Sequence, residues 1–227
     1  IPAPGQEQVI TRLSTHWPLG GRLPVLVQRA RAAVHRDDPG IAAKPFLLGS
    51  GFGSLPDPQR YPDLVKVFLD AQHDYIEDRV YLLAALVAGP DKTVEVVEMT
   101  TAPPDTAAEQ ALLVTWLTRL LPAIADVAGT SHAPLHIYLY DQRDQGVLLT
   151  ALTRHFDALC AIPAFYDLLT SSPALTQGML SFLADELRER RNLTPICQNL
   201  YRVASALGFA WREGELDFWR LFRARAF

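Results

Sequence analysis

The sequence predicts an α/β protein built on a mixed sheet: a three-strand meander, then a crossover helix and a parallel strand, with a helical N-terminal extension and a helical C-terminal part. Three observations carry this. Short apolar runs separated by turns fill residues 64–99, the pattern of consecutive strands. A 3.6-residue apolar period takes over after Pro103-Pro104, as expected of a helix. Another short apolar run at 135–140 follows it, and a strand reached through a helical crossover pairs in parallel with an earlier one.

Residues 8–36 carry two helical patterns, one around Val9-Ile10-Thr11-Arg12-Leu13 and one from Leu23 to Arg36, separated by the helix-breaking Pro18-Leu19-Gly20-Gly21. Residues 37–63 contain five prolines and a glycine-serine run, which reads as a linker wrapped over a surface. The glycines lack a preceding strand and the Lys-Ser/Thr of a phosphate loop. The expected layout is a helical extension over 1–50, a linker over 51–63 and the sheet domain over 64–227.

The first strand is read at Leu64-Val65-Lys66-Val67-Phe68-Leu69, ending at Asp70, the second at 80–87, and the third at 93–99 after the turn Gly89-Pro90-Asp91-Lys92. Thr106-Ala107-Ala108-Glu109 has capping-box spacing and opens a helix to about Ile124, with Leu112, Leu113, Trp116, Leu117, Leu120 and Leu121 on one face. The strand 135–140 ends in Asp141 and leads into a helix from about Asp144 to Phe156. Beyond residue 163 the chain reads as helical, over 164–171, 173–191, 195–207 and 213–226.

The chain has 227 residues, 49% apolar and 20% charged, enough to bury a full core and close to globular averages. No uninterrupted apolar run reaches ~18 residues, and no signal-peptide pattern opens the chain; the expectation is a soluble, cytoplasmic protein without membrane partners. Cys160 and Cys197 have no zinc-type spacing and read as buried free thiols. The formal net charge is −4, so any nucleic-acid groove must be local. The Ile-Pro-Ala-Pro-Gly start and the apolar, basic end suggest a piece of a longer protein.

Asp70, Asp141 and Asp144 are the candidate acids at the strand ends. Converging carboxylates suit hard divalent ions, which two-metal phosphodiester hydrolysis places ~3.5–4 Å apart. Phe68-Leu69-Asp70-Ala71-Gln72, Tyr81-Leu82-Leu83, Glu109, and His136-Ile137-Tyr138-Leu139-Tyr140-Asp141-Gln142-Arg143-Asp144 with Leu148 resemble the predicted 3′–5′ exonuclease branch of the ribonuclease-H-like superfamily. The version embedded in bacterial proteins that join a RecB-like nuclease region to a superfamily 1 helicase is the most similar, and the match covers about residues 50–160.

That resemblance implies a ribonuclease-H-like fold, Mg²⁺ or Mn²⁺ as cofactor, DNA or RNA as partner, and fused helicase or nuclease domains. It carries metal-binding and catalytic roles onto Asp70 and Asp144, with Asp141 as a further ligand and Glu109 and Asp217 as additional acids. The family's Asp-x-Glu motif here reads Asp70-Ala71-Gln72, and a neutral glutamine cannot supply the second carboxylate charge. The expected function is therefore a nucleic-acid-processing domain with a degenerate metal site. The alternatives are an active metal-dependent 3′–5′ exonuclease and an unrelated α/β interaction domain.

Each candidate also has a structural role open to it. Asp141 and Asp144 have N-cap and N3 spacing, Glu109 closes a capping box, and His73 fits a surface turn. Arg188, Arg191 and Arg202 could track a phosphate backbone with Tyr201, Trp211 and Trp219 as stacking partners, or form solvated helical faces with the neighbouring acids.

Overall fold

The computed structural model describes residues 6–17, 20–23, 26–27, 30, 46–47, 55–57, 59–100, 105–130, 133–171, 180–192 and 199–210. The chain divides into two compact units, residues 1–51 with 187–227, and Phe52–Glu186. Described parts of the first unit include a helix at Gln6–Ser14, a 3-10 turn at Gly20–Arg22 and a helix at Leu200–Ala206, capped by the Asn199 side chain accepting from the Arg202 amide. Phe46–Leu47 pairs antiparallel with Arg191–Asn192.

The second unit is α/β. Its strands are β1 (Val65–Asp74), β2 (Arg79–Ala88), β3 (Thr93–Met99), β4 (Leu135–Leu139) and β5 (Leu180–Phe182), in the order β3-β2-β1-β4-β5. Helix α1 (Thr106–Ala128) connects β3 to β4, and α2 (Gln142–Arg154), α3 (Phe156–Cys160) and α4 (Pro163–Ser171) lead from β4 towards β5. Helix α5 (Leu183–Arg190) follows β5 and contains the boundary between the units. As expected, β1 is central, antiparallel to β2 and parallel to β4.

Three elements differ from the sequence reading. Strand β1 runs on to Asp74, so Asp70 lies inside the strand rather than at its end. Polar Gln72, His73 and Asp74 mask this extension. The turn is built by Asp74, whose carboxylate accepts from the amides of Ile76 and Glu77, and by Asp78 at φ 52°, a left-handed conformation that Asp tolerates better than most residues. Within the stretch expected as one helix over 173–191, Leu180–Phe182 instead forms β5, parallel to β4. At α1 the cap is Asp105, accepting from the Ala108 amide at 2.7 Å, not Thr106. An ionised Asp is the stronger N-cap, and the shift by one residue releases Glu109 from the capping box.

One sheet face and the helices on it form the core. Val65, Val67 and Ala71 of β1, Leu83, Ala85 and Val87 of β2, and Val96 of β3 pack with Leu112, Leu113, Trp116, Leu117 and Leu120 of α1 and with Leu148, Ala151 and Leu159 behind them. The register shifts between Gln72 and His73, where Gln72 faces Leu82 and His73 faces Val80. The extra residue turns both Val80 and Leu83 inward, as a bulge does by changing side-chain parity. Phe68 stacks on Tyr138 at 4.7 Å, and His136 bonds Ser181 across β4 and β5.

Helix α1 is long and apolar enough to cross a membrane by length and composition. Its apolar stripe is buried against the sheet, the behaviour of a core helix. Cys160 is a half-buried free thiol; Cys197 lies outside the described residues. A chain of residues 52–186 is expected to unfold cooperatively by itself, with Leu113→Ala costing about 2–5 kcal/mol. Urea denaturation checks both; a molten 52–186 chain would contradict the division.

Candidate functional site

The candidate acids gather where β1 outruns β4. Pairing of the two strands ends at Phe68 with Tyr138, so Asp70 lies beyond the last pair, beside the turn from β4 into α2. Asp141 is the N-cap of α2, its carboxylate accepting from the amides of Arg143 at 2.9 Å and Asp144 at 3.1 Å. Asp144 accepts in return from the Asp141 amide, which completes a reciprocal cap. Burial first, then the charge of Asp141 and more weakly that of Asp70, push the Asp144 carboxyl up to about 6, against the Asp141 amide bond and Arg143.

Gln72 lies two residues from Asp70 on the same face of β1. Its Nε2 donates to both carboxylate oxygens of Asp70, at 3.1 and 2.9 Å. Asp70 therefore has a neutral amide as its partner two residues along the strand. Asp141 is engaged as a cap, and among the described residues no group of three or more His, Cys, Asp or Glu side chains could hold a metal ion. Electrostatic coupling reaches further than metal–ligand bonds, so the acids repel one another without forming a coordination shell. These residues do not fit a two-metal centre.

Glu109 is not with them. It is fully buried, and it accepts from the Val80 amide at 2.8 Å, Arg154 Nη1 at 2.7 and 3.0 Å and His155 Nε2 at 2.8 Å, with Arg79 Nε at 3.6 Å. Burial pushes its carboxyl up, but the hydrogen bonds and the Arg154 charge outweigh burial and hold it below the usual range. Arg154 also bonds Asp78 at 3.0 Å, and His73 Nε2 bonds Asp78 at 2.9 Å. The His73 bond first, with the Arg154, His73 and Arg79 charges, keeps the Asp78 carboxyl low.

No family model, curated protein or solved structure matches the chain.

His73 lies on β1 rather than in a turn. Arg202 is exposed on its helix. Arg188 and Arg191 belong to described elements whose side chains there are not described, and Asp217, Trp211 and Trp219 lie outside the described residues. Sequence reasoning missed the cluster of Glu109, Arg154, His155, Asp78 and His73. The one signal available was that Arg154-His155 ends an amphipathic helix, which does not reveal a partner 45 residues away.

Two outcomes follow from these charges. Replacing Glu109 by Ala should cost about 3–5 kcal/mol in urea denaturation, because it leaves the half-buried Arg154 guanidinium, the buried His155 ring and the Val80 amide without their shared acceptor; a loss below ~1 kcal/mol would contradict this role. Asp144 has a folded pKa above its unfolded value, so the fold takes up a proton between about pH 4 and 6 and loses stability as pH rises through that window. Asp144→Asn should remove this slope and gain roughly 1 kcal/mol at pH 7, discounted for partial exposure, with no gain below pH 4.

Proposed function

We propose that residues 52–186 are a ribonuclease-H-like domain with a disabled metal site, serving as a non-catalytic module of a larger nucleic-acid-processing protein. The strand order supports the fold reading: an antiparallel meander β1-β2-β3, a helical crossover and a parallel β4 beside β1 form the opening topology of that fold. The positions of Asp70 on the first strand and of Asp141 and Asp144 just after the fourth support the same reading. Nucleic-acid partners and fused nuclease or helicase domains come with this reading.

One observation carries the loss of chemistry: the Gln72 amide donates to both oxygens of Asp70. A Glu at this position would add negative charge for a hard cation. Gln72 does the opposite, placing partial positive charge and hydrogen on the lone pairs a cation needs. A metal would have to break two hydrogen bonds and would still lack the second carboxylate.

A second reading, an active Mg²⁺- or Mn²⁺-dependent 3′–5′ exonuclease, is favoured by the raised Asp144 pKa, since mutually repelling acids gain from a shared cation. Calorimetry separates the two. Mn²⁺ affinity should be weak in the native chain and at least about tenfold tighter in Gln72→Glu, a gain near 1.4 kcal/mol, with Asp70→Asn binding no better than native. Equal affinity in all three would remove the metal-site ancestry. Exonuclease activity in the native chain that Asp70→Asn abolishes would establish the enzyme instead.

A further inference from the structure

Strand β3 forms one edge of the five-stranded sheet and pairs with β2 on its inner side. Its Val96 is buried in the core with α1, so the pleat turns Glu95, Val97 and Met99 to the sheet face away from that helix. Val97 is 50% exposed and Met99 60%. They continue across that face onto their cross-strand partners Ala84 and Leu82, which are partly exposed apolar residues of β2.

The backbone of the edge follows the same alternation. The Gly89 amide donates to the Lys92 carbonyl, and the Thr100 amide to the Tyr81 carbonyl. These bonds fix the phase of the antiparallel ladder: Val94, Val96 and Glu98 exchange bonds with β2, while the N–H and C=O groups of Thr93, Glu95, Val97 and Met99 point off the edge. Among the described residues no strand lies beyond them. Sheet edges are usually blunted by brevity, a bulge, proline or an outward lysine. The opposite edge, β5, is only three residues long. Strand β3 has seven residues, pairs with β2 without a register shift and contains no Pro, Lys or Arg. Of its two acids, Glu98 pairs with Arg119 of α1, which leaves Glu95 as the one charge in the outward row.

We propose that β3 pairs antiparallel with β3 of a second copy of this chain, about a two-fold axis at Val97, joining the two sheets into one. Under a two-fold axis the outward residues exchange bonds only with one another, so charge selects the register. Glu95 against Glu95 opposes two carboxylates directly, and Glu95 against Val97 leaves them diagonal at ~7–8 Å. Met99 against Met99 pairs only the strand ends. Val97 against Val97 sets Glu95 beside Met99 of the partner subunit and holds the carboxylates apart by about 13 Å, at ~3.3 Å per residue. That exceeds the screening length of roughly 10 Å in 0.1 M salt. A strand of another protein has no need of this symmetry; an apolar centre with the acids set apart is what a second copy requires. The pairing is independent of the nucleic-acid reading above.

Sedimentation equilibrium of the full chain tests it. The native chain should sediment as a dimer that dissociates on dilution. Val97→Glu and Val97→Lys each oppose like charges across the axis, so each should be monomeric by itself, and an equimolar mixture of the two should recover the dimer. Met99→Lys, which faces Glu95 of the partner subunit, should tighten the dimer severalfold, a gain that misfolding cannot produce. All three positions are exposed, so each variant should melt within a few degrees of the native chain by circular dichroism. A native chain that stays monomeric at its highest soluble concentration would overturn the second copy and leave the edge to a strand of another protein. A dimer unaffected by both Val97 variants, or two variants that do not recombine, would overturn the pairing, and a dimer weakened by Met99→Lys would overturn the axis at Val97. Polydisperse association in place of a dimer would overturn it as well, as the behaviour of an unprotected edge without a chosen partner.

Discussion

The sheet unit depends on one buried carboxylate. Glu109 joins the start of α1 to the start of β2 through the Val80 amide and to the end of α2 through Arg154 and His155. Taking an ion pair out of water costs several kcal/mol, offset only when the lone pairs find partners; here the Val80 amide, Arg154 and His155 supply them. Arg154 passes the constraint to Asp78, and Asp78 passes it to His73 on β1. The hairpin tip and both helices are therefore tied together by one group of hydrogen bonds. Removing Glu109 would loosen these elements, beyond leaving a cavity.

The acids at the other end of α2 follow an opposite logic. Asp141 and Asp144 cap their helix, and Asp144 bears a raised pKa because burial and two neighbouring carboxylates act on it together. A cation would relieve that repulsion. Gln72 instead takes up Asp70 with a neutral amide, a partner that satisfies hydrogen bonding and leaves the charge in place. The acids therefore keep their mutual repulsion while Asp70 keeps a neutral hydrogen-bond partner.

Much of the sheet was legible because its strands and helices keep clean periods. Strands β2 and β3 are apolar runs closed by turn residues, α1 shows an unbroken stripe from Leu112 to Leu120, and the helical crossover dictates that β4 be parallel to an earlier strand. The end of β1 was hidden because Gln72, His73 and Asp74 are polar and do tertiary work there. β5 was hidden because three residues, Leu180-Ser181-Phe182, run straight into a helix. Asp141 was legible as a cap because capping is local. Glu109 was misread for the same reason: a local motif explained it, whereas its partners Val80, Arg154 and His155 are distant in sequence. Gln72 was legible as a missing charge, but its bidentate hold on Asp70 follows only from the strand geometry.

Asp70 is held by the Gln72 amide, and the proposed loss of the metal site rests on that hold. Anomalous diffraction from crystals soaked in Mn²⁺ tests it most directly. No manganese peak is expected between Asp70 and Asp144 in the native chain, with Gln72 Nε2 still within hydrogen-bond distance of both Asp70 oxygens. A manganese ion bound by Asp70 and Asp144, with the Gln72 amide turned away or offering its oxygen as a ligand, would contradict it.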